Sequence, residues 1–336
     1  MKLKMQAVFM TAPGSPEVLQ IQEVSQPLPP ENTQILVKVK AAGVNPIDTK
    51  LRQRGTFYPD RMTAILGCDG AGIVEAVGAD VSQFRSGDNV YFCHGGLGAV
   101  PGNYGEYAIV EERYVAHKPV SISFAEAAAA PLVLITAWES LYERGRLAPG
   151  DKVLIHAGAG GVGHVAIQLA KIKGAAVATT VSSPEKAEFV QTLGADLAIL
   201  YKQVDFVSEV LAWTGGEGVD LAFDTVGGET LQQTFPAVRV YGDIVTILEP
   251  AASTSWKVAR NRNLRISLEL MLTPMLQGLT EAQQHHGEIL TESARLIDGG
   301  KLKIHVAHQF PLKEAAKAHQ LLESGGITGK IVLLMD

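Results

Sequence analysis

The chain has 336 residues, 46% hydrophobic and 19% charged, without a biased tract, a length that reads as about two globular domains. Its net charge of −6 argues against nucleic acid or an anionic membrane surface as partner. The longest apolar stretch, around 127–137, contains Pro131 and is too short to cross a bilayer. Cys68 and Cys93 form no CxxC pair, and residues 1–10 lack the apolar core of a secretory signal, so the expected setting is the cytoplasm.

Through residue 120 the texture is one of strands and turns. Val37, Val39 and Ala41 alternate with Lys38 and Lys40, the mark of a half-buried strand. Ala71–Val77, Asn89–Phe92 and Tyr107–Val110 are further short strands, parted by glycine, proline and aspartate. The alanine-rich stretch Ala125–Tyr142 predicts a helix, and Pro149-Gly150 a turn. Strands are then expected at Val153–His156, Ala176–Val181, Leu197–Leu200, Val219–Phe223 and Ile244–Leu248. Helices fall between them at Val162–Lys173, Pro184–Leu193, Val204–Thr214 and Glu229–Phe235. That alternation predicts a doubly wound parallel sheet, to which Leu264–Leu268 adds a sixth strand. Beyond Thr280 come an amphipathic helix with His285-His286 on its exposed side, a strand near Ile304, a helix through Ala315–Leu322 and a last strand Lys330–Leu334.

The most informative stretch is Val153 to Gly163, a short apolar run followed by G-x-G-x-x-G spacing at Gly158, Gly160 and Gly163. A strand, a tight glycine turn and a helix N-terminus together form a pyrophosphate cradle, with Gly161 and Val162 at its floor. In this reading Gly158 permits the turn, Gly160 bares the backbone to the phosphates, and Gly163 lets helix and strand pack closely. An NAD site places an acid about 20 positions after the first glycine. Here that stretch is Thr179-Thr-Val-Ser-Ser-Pro, and the first acid, Glu185, already lies in the next helix. Ser182 and Ser183 leave room for a 2′-phosphate and Lys186 meets its charge, so NADPH is the expected cofactor. The same residues also read as helix caps, Ser182 with Glu185 as a capping box and Ser183-Pro184 as an N-cap and N1 pair.

The loop Gly43-Val-Asn-Pro-Ile-Asp-Thr-Lys50 carries an amide, a carboxylate and an amine within six residues, Asn45 to Lys50. On residue chemistry alone, Asn45-Pro46 starts a turn and Asp48 caps a helix. Asn45 and Lys50 are candidate donors to a substrate oxygen, and Asp48 orients the loop. Tyr58 either donates a hydrogen bond or lies against a flat substrate, or else simply packs at a loop end.

These motifs, with Gly67-Cys-Asp-Gly-Ala-Gly-Ile-Val-Glu-Ala-Val-Gly78, Gly87-Asp88, Phe223-Asp-Thr-Val-Gly227 and Gly329-Lys-Ile-Val-Leu, occur in order over nearly the whole chain. The sequence resembles the medium-chain dehydrogenases/reductases, and within them the zinc-free NADPH:quinone oxidoreductase (zeta-crystallin-like) branch. The resemblance implies an α/β fold, a Rossmann-type doubly wound parallel sheet plus a GroES-like β-barrel catalytic domain. It divides the chain into residues 1–122 (catalytic domain, first part), 123–271 (dinucleotide-binding domain) and 272–336 (a return segment completing the catalytic domain). It further implies Tyr201 beside the adenosine, Thr225 at the phosphate–ribose edge, Thr136 beside the nicotinamide, and a homodimer. Zinc alcohol dehydrogenases carry a cysteine where this chain has Asn45 and a His-Glu pair where it has Cys68-Asp69. Pro131–Ile135 offers no third ligand, so no metal is expected. Lys50 stands where many quinone reductases have tyrosine, a pattern closer to enone and alkenal reductases.

The expected activity is a zinc-independent NADPH-dependent reductase passing hydride to a quinone or an α,β-unsaturated carbonyl, largely by positioning and charge stabilisation. Two alternatives stay open: a zinc-independent carbonyl or alcohol dehydrogenase, and a non-catalytic NADPH-binding sensor or structural protein.

Overall fold

The structure, a computed structural model, describes residues 3–58 and 64–335. The chain forms two compact units, one built from residues up to Leu132 with Leu272–Gly300 and the stretch from Ile304 onward, the other from Val133–Met271 with Lys301–Lys303.

In the second unit the apolar runs become a six-stranded sheet. Its spatial order is Leu197–Leu200, Ala176–Val181, Lys152–Ile155, Val219–Asp224, Val238–Thr246 and Arg265–Leu268, with every neighbouring pair parallel. Counted along this unit the order is 3-2-1-4-5-6, the doubly wound arrangement, with the strand order reversing between Lys152–Ile155 and Val219–Asp224. These strands lack alternation because parallel strands are covered on both faces. Leu154, Ala178, Ile199, Ala222 and Ile244 are buried together with Val210, Leu231 and Phe235. The crossover helices are Gly161–Ile172, Pro184–Thr192, Phe206–Trp213 and Glu229–Thr234.

Two expectations here are corrected. The fifth strand, expected at Ile244–Leu248, starts earlier, at Val238; an irregular register and a left-handed Tyr241 (φ 61°) break up the apolar pattern before Ile244. The continuous helix expected over Ala125–Tyr142 is broken into Phe124–Ala129, Pro131–Trp138 and a π-helical turn, Glu139–Arg144. Pro131 has no N–H to give the preceding turn and starts a new helix instead.

Among the described residues the first unit is antiparallel apart from one strand pair. Gln34–Val44 is its spine, flanked by Asp69–Val77 on one edge and by Tyr107–Glu111 and Lys330–Leu334 on the other. Asn89–Cys93 and Val115–His117 extend the first side, and Val306–Pro311 adds parallel to Lys330–Leu334. Ile35, Val37, Val39, Val74, Val90, Phe92 and Val110 fill the interior. A smaller sheet of Leu19–Ser25, Lys4–Met10 and Ala64–Ile65 was not legible, because Leu19–Ser25 is mostly exposed and rich in Gln and Glu. The tail strand expected near Ile304 begins at Val306. His286, expected on an exposed helix face, is buried in the long helix Thr280–Asp298, while His285 is half-buried.

The register of the last strand sets up a site. Ile331 pairs with Val44, so Lys330 arrives beside Asn45 at the head of the helix Pro46–Arg54.

Candidate functional site

In the nucleotide-type unit the first strand ends at Ile155, and His156 N–H still donates to Phe223 O at 3.0 Å. The chain then turns sharply: Ala157 is left-handed (φ 51°), Gly158 N–H donates to Thr180 O at 3.1 Å, and the helix starts at Gly161. The left-handed residue is therefore Ala157, and Gly158 is needed for space: a Cβ there would lie 2.1 Å from Thr179 Oγ1. A Cβ on Gly163 would lie 2.3 Å from Ala157 O and 2.7 Å from Gly158 Cα. Gly160 is the open one, meeting only Ala157 O at 3.2 Å. The turn thus presses strand against helix and leaves bare backbone at the N-terminus of a 12-residue helix, where N–H groups without intrahelical partners favour an anion.

A cleft of about 560 Å³ opens beside this turn at the carboxyl ends of the strands, lined among others by His156, Ala157, Thr180, Tyr201, Asp205 and Phe206. Tyr201 is 49% exposed and forms one wall. Ser182, Ser183 and Lys186 are half-buried at the end of the second strand and outside the lining. The helix cap there is Ser183 with Pro184 at N1, so Ser183 rather than Ser182 caps this helix. Gly161 and Val162 are half-buried in the first helical turn. Thr225 donates its hydroxyl to His156 O at 2.7 Å and braces the turn, and Thr136 is buried on the helix Pro131–Trp138. Sequence reasoning missed Asp224. Its buried carboxylate accepts from Val226 N and Gly227 N, both at 2.9 Å, and from Thr246 Oγ1 at 3.0 Å, fixing the turn after the fourth strand.

In the other unit, Asn45 is the N-cap, Pro46 takes N1 and Asp48 N3. The expected cap at Asp48 is thus three residues late, because Pro46 suits the first helical position and Asp48 reaches back to accept from Asn45 N at 2.8 Å. Asn45 is fully buried. Its Nδ2 donates to Asp69 Oδ2 at 2.9 Å and its Oδ1 accepts from Lys330 Nζ, which also donates to Val44 O at 3.2 Å. Asp69 Oδ1 takes Leu132 N–H at 2.8 Å. Asp48 Oδ2 accepts from Tyr104 OH at 3.1 Å, and that hydroxyl lies 3.1 Å from His319 Nε2. Burial pushes the Asp48 carboxyl up to about 7 and raises Asp69 as well, while it lowers the Lys330 ammonium, with each opposite charge pulling its partner back. Lys50 is exposed on the same helix and Tyr58 is half-buried beyond it; Pro59, its neighbour in the expected segment, lies outside the described residues. Asn45 and Asp48 are thus committed inside the unit, and of the four expected catalytic residues Lys50 is the exposed one. Asp69, Tyr104, His319 and Lys330 were missed as interacting groups, although Gly329-Lys330 was visible as a motif.

Comparisons with known proteins agree with this pairing of units. Residues 31–120 match the alcohol dehydrogenase GroES-like domain family, and residues 193–333 the zinc-binding dehydrogenase family. Quinone oxidoreductase 1 of Escherichia coli is 34% identical over 323 residues, 96% of this chain and 97% of that one. The chain belongs to the quinone oxidoreductase family of the medium-chain dehydrogenases/reductases. Among solved structures of this superfamily, an alcohol dehydrogenase superfamily protein of Novosphingobium aromaticivorans is 33% identical with a TM-score of 0.91, over 99% of this chain and 100% of that one. The E. coli quinone oxidoreductase complexed with NADPH is 32% identical with a TM-score of 0.86, over 98% of this chain and 99% of that one.

The zinc in the name of one matched family does not fit the residues here. Zinc sites use thiolate, imidazole and carboxylate donors. Among the described residues no group of three such side chains is arranged to hold a metal. Asn45 offers an amide already bonded, Asp69 is paired with an ammonium, and burial drives the Cys68 and Cys93 thiols well above their usual range.

Proposed function

We propose that the chain is a zinc-independent, NADPH-dependent reductase of quinones or α,β-unsaturated carbonyl compounds, working in the cytoplasm. The observation that carries this reading is the Ala157–Gly163 turn, closed against its own strand and open only at the backbone around Gly160. NADPH bound there supplies the hydride. The N–H groups of Gly161, Val162 and Gly163 meet the pyrophosphate, Tyr201 lies along the adenosine, and Ser182, Ser183 and Lys186 receive the 2′-phosphate. Thr136 and Thr225 belong to the same unit, Thr136 beside the nicotinamide and Thr225 at the phosphate–ribose edge. An acceptor of this class is already electrophilic, so positioning and one or two donors to the developing oxyanion suffice. Lys50 is the donor, Tyr58 lies along the flat substrate, and Asn45 with Asp48 hold their loop.

Replacing Lys186 with Ala removes the charge that meets the 2′-phosphate. The Michaelis constant for NADPH is expected to rise about tenfold and that for NADH to stay within about twofold, as loss of one charge-assisted contact predicts. Steady-state kinetics with both cofactors check this, and equal effects would remove the 2′-phosphate assignment.

The sheet of this unit ends at Arg265–Leu268, where Leu268 is 68% exposed, and we assign this edge to a homodimer contact. Sedimentation at twice the chain mass is expected; a monomer at micromolar concentration rejects it.

A further inference from the structure

Next to the phosphate turn, a buried imidazole is wired into a one-way hydrogen-bond chain. Thr234 Oγ1 donates to Thr230 O at 2.7 Å, which uses its only proton. The same oxygen lies 2.9 Å from His156 Nε2, so it accepts there and Nε2 carries the hydrogen. In the neutral ring Nδ1 is then the acceptor, and it lies 3.2 Å from Thr180 Oγ1. Thr180 gives its proton to Nδ1 and turns a lone pair to Ala157 N–H at 3.1 Å. The chain therefore runs from the N–H of the left-handed Ala157 through Thr180 and His156 to Thr234 and the carbonyl of Thr230, without a break.

We infer that His156 is a cofactor-positioning residue: as the neutral Nε2–H tautomer it orients Thr180, which pins Ala157 and so sets the backbone presented by the phosphate turn. Three of these residues, His156, Ala157 and Thr180, line the same cleft as Tyr201. A left-handed non-glycine residue persists only where its surroundings hold it, and the Thr180 hydroxyl is the side-chain group that does so at Ala157 N. A charged ring is incompatible with this wiring, since Nδ1–H would meet a hydroxyl proton. Burial supports the neutral form, lowering the imidazole to about 4 against the opposing pull of Asp224; Asp205 is the other carboxylate on the cleft wall. The inference rests on the NADPH reading for its functional consequence and on the ligand-free protein for its geometry.

The test has two arms. In the nitrogen-15 imidazole spectrum of the ligand-free protein, His156 is expected as Nε2–H and neutral down to about pH 5.5, as its burial implies. An Nδ1–H tautomer or an imidazolium there overturns the inference whether or not NADPH binds. In the second arm, NADPH dissociation constants and kcat are measured for His156→Leu, His156→Gln and His156→Asn, with thermal unfolding to confirm that each is folded. Asn places an acceptor where Nδ1 was, whereas Gln reaches toward Thr234. Leu and Gln are expected to weaken NADPH binding about tenfold, the value of one lost buried hydrogen bond, with kcat nearly unchanged. Asn is expected to restore affinity to within about threefold. Unchanged affinity in Leu, or no advantage of Asn over Gln, overturns the positioning role; wild-type protein that does not bind NADPH rejects the cofactor reading instead.

Discussion

Gly163→Ala is expected to weaken NADPH binding by at least about a hundredfold, roughly 3 kcal/mol. The added methyl group would lie 2.3 Å from Ala157 O and 2.7 Å from Gly158 Cα, and both neighbours are backbone that cannot swing aside. Helix and strand must part, which opens the turn and costs a further 1–3 kcal/mol or so of stability, as overpacking does elsewhere. Gly160→Ala is the internal control. Its Cβ meets one atom at 3.2 Å and its φ of −78° suits any residue, so its thermal unfolding is expected to stay close to wild type. Binding titrations on the two variants, with unfolding curves alongside, separate the two roles. A Gly163→Ala protein that binds NADPH as wild type does would sink the account of the turn.

The second large effect falls in the other unit. Lys330→Met removes the cation from a cluster in which Asn45, Asp69 and the ammonium are all at least 96% buried. Breaking a buried pair from one side strands the remaining charge, at roughly 3–5 kcal/mol. The pH dependence has a definite sign. Asp69 already titrates above its ordinary value because of burial, with Lys330 holding it down. Without the lysine its folded value rises further above the unfolded one, so the variant is relatively more stable when Asp69 is protonated and loses that stability as pH rises through the folded value. The deficit is therefore expected to be largest near neutral pH and to shrink toward pH 5. Asp69→Asn in the same background should recover a large part of it. Denaturation at several pH values checks both statements, and a deficit independent of pH would show that the pair is not the cause.

The parts of the fold legible beforehand were those with one dominant local cause. The apolar β-branched runs at Ala176–Val181 and Leu197–Leu200, and the final strand Lys330–Leu334, have the expected bounds because flanking turns and helix caps close them off. Leu19–Ser25 escaped because it pairs by backbone along a mostly exposed strand, which leaves little periodic signal. The glycine turn was legible as a cradle, but which residue bears the left-handed backbone was not: Ala157 does so because Thr180 reaches it from 23 positions along the chain. The cluster around Asn45 was half legible. Its loop is contiguous, whereas Asp69, Tyr104, His319 and Lys330 come from four separate stretches brought together by strand register and helix packing. Local spacing cannot report such partners, and for that reason Asn45 read as a donor to substrate although its amide is tied to Asp69 and Lys330.

The central claim is tested most directly by following loss of the reduced nicotinamide absorbance with a quinone and with an unsaturated aldehyde or ketone. The assay runs with NADPH and NADH in parallel, in buffer containing a strong zinc chelator, and with Lys50→Ala beside the wild type. The account predicts chelator-resistant turnover that prefers NADPH and falls about a hundred- to a thousandfold in Lys50→Ala, the range for removing one donor to a developing oxyanion. Tight NADPH binding without turnover on either acceptor, or turnover abolished by the chelator, would contradict it.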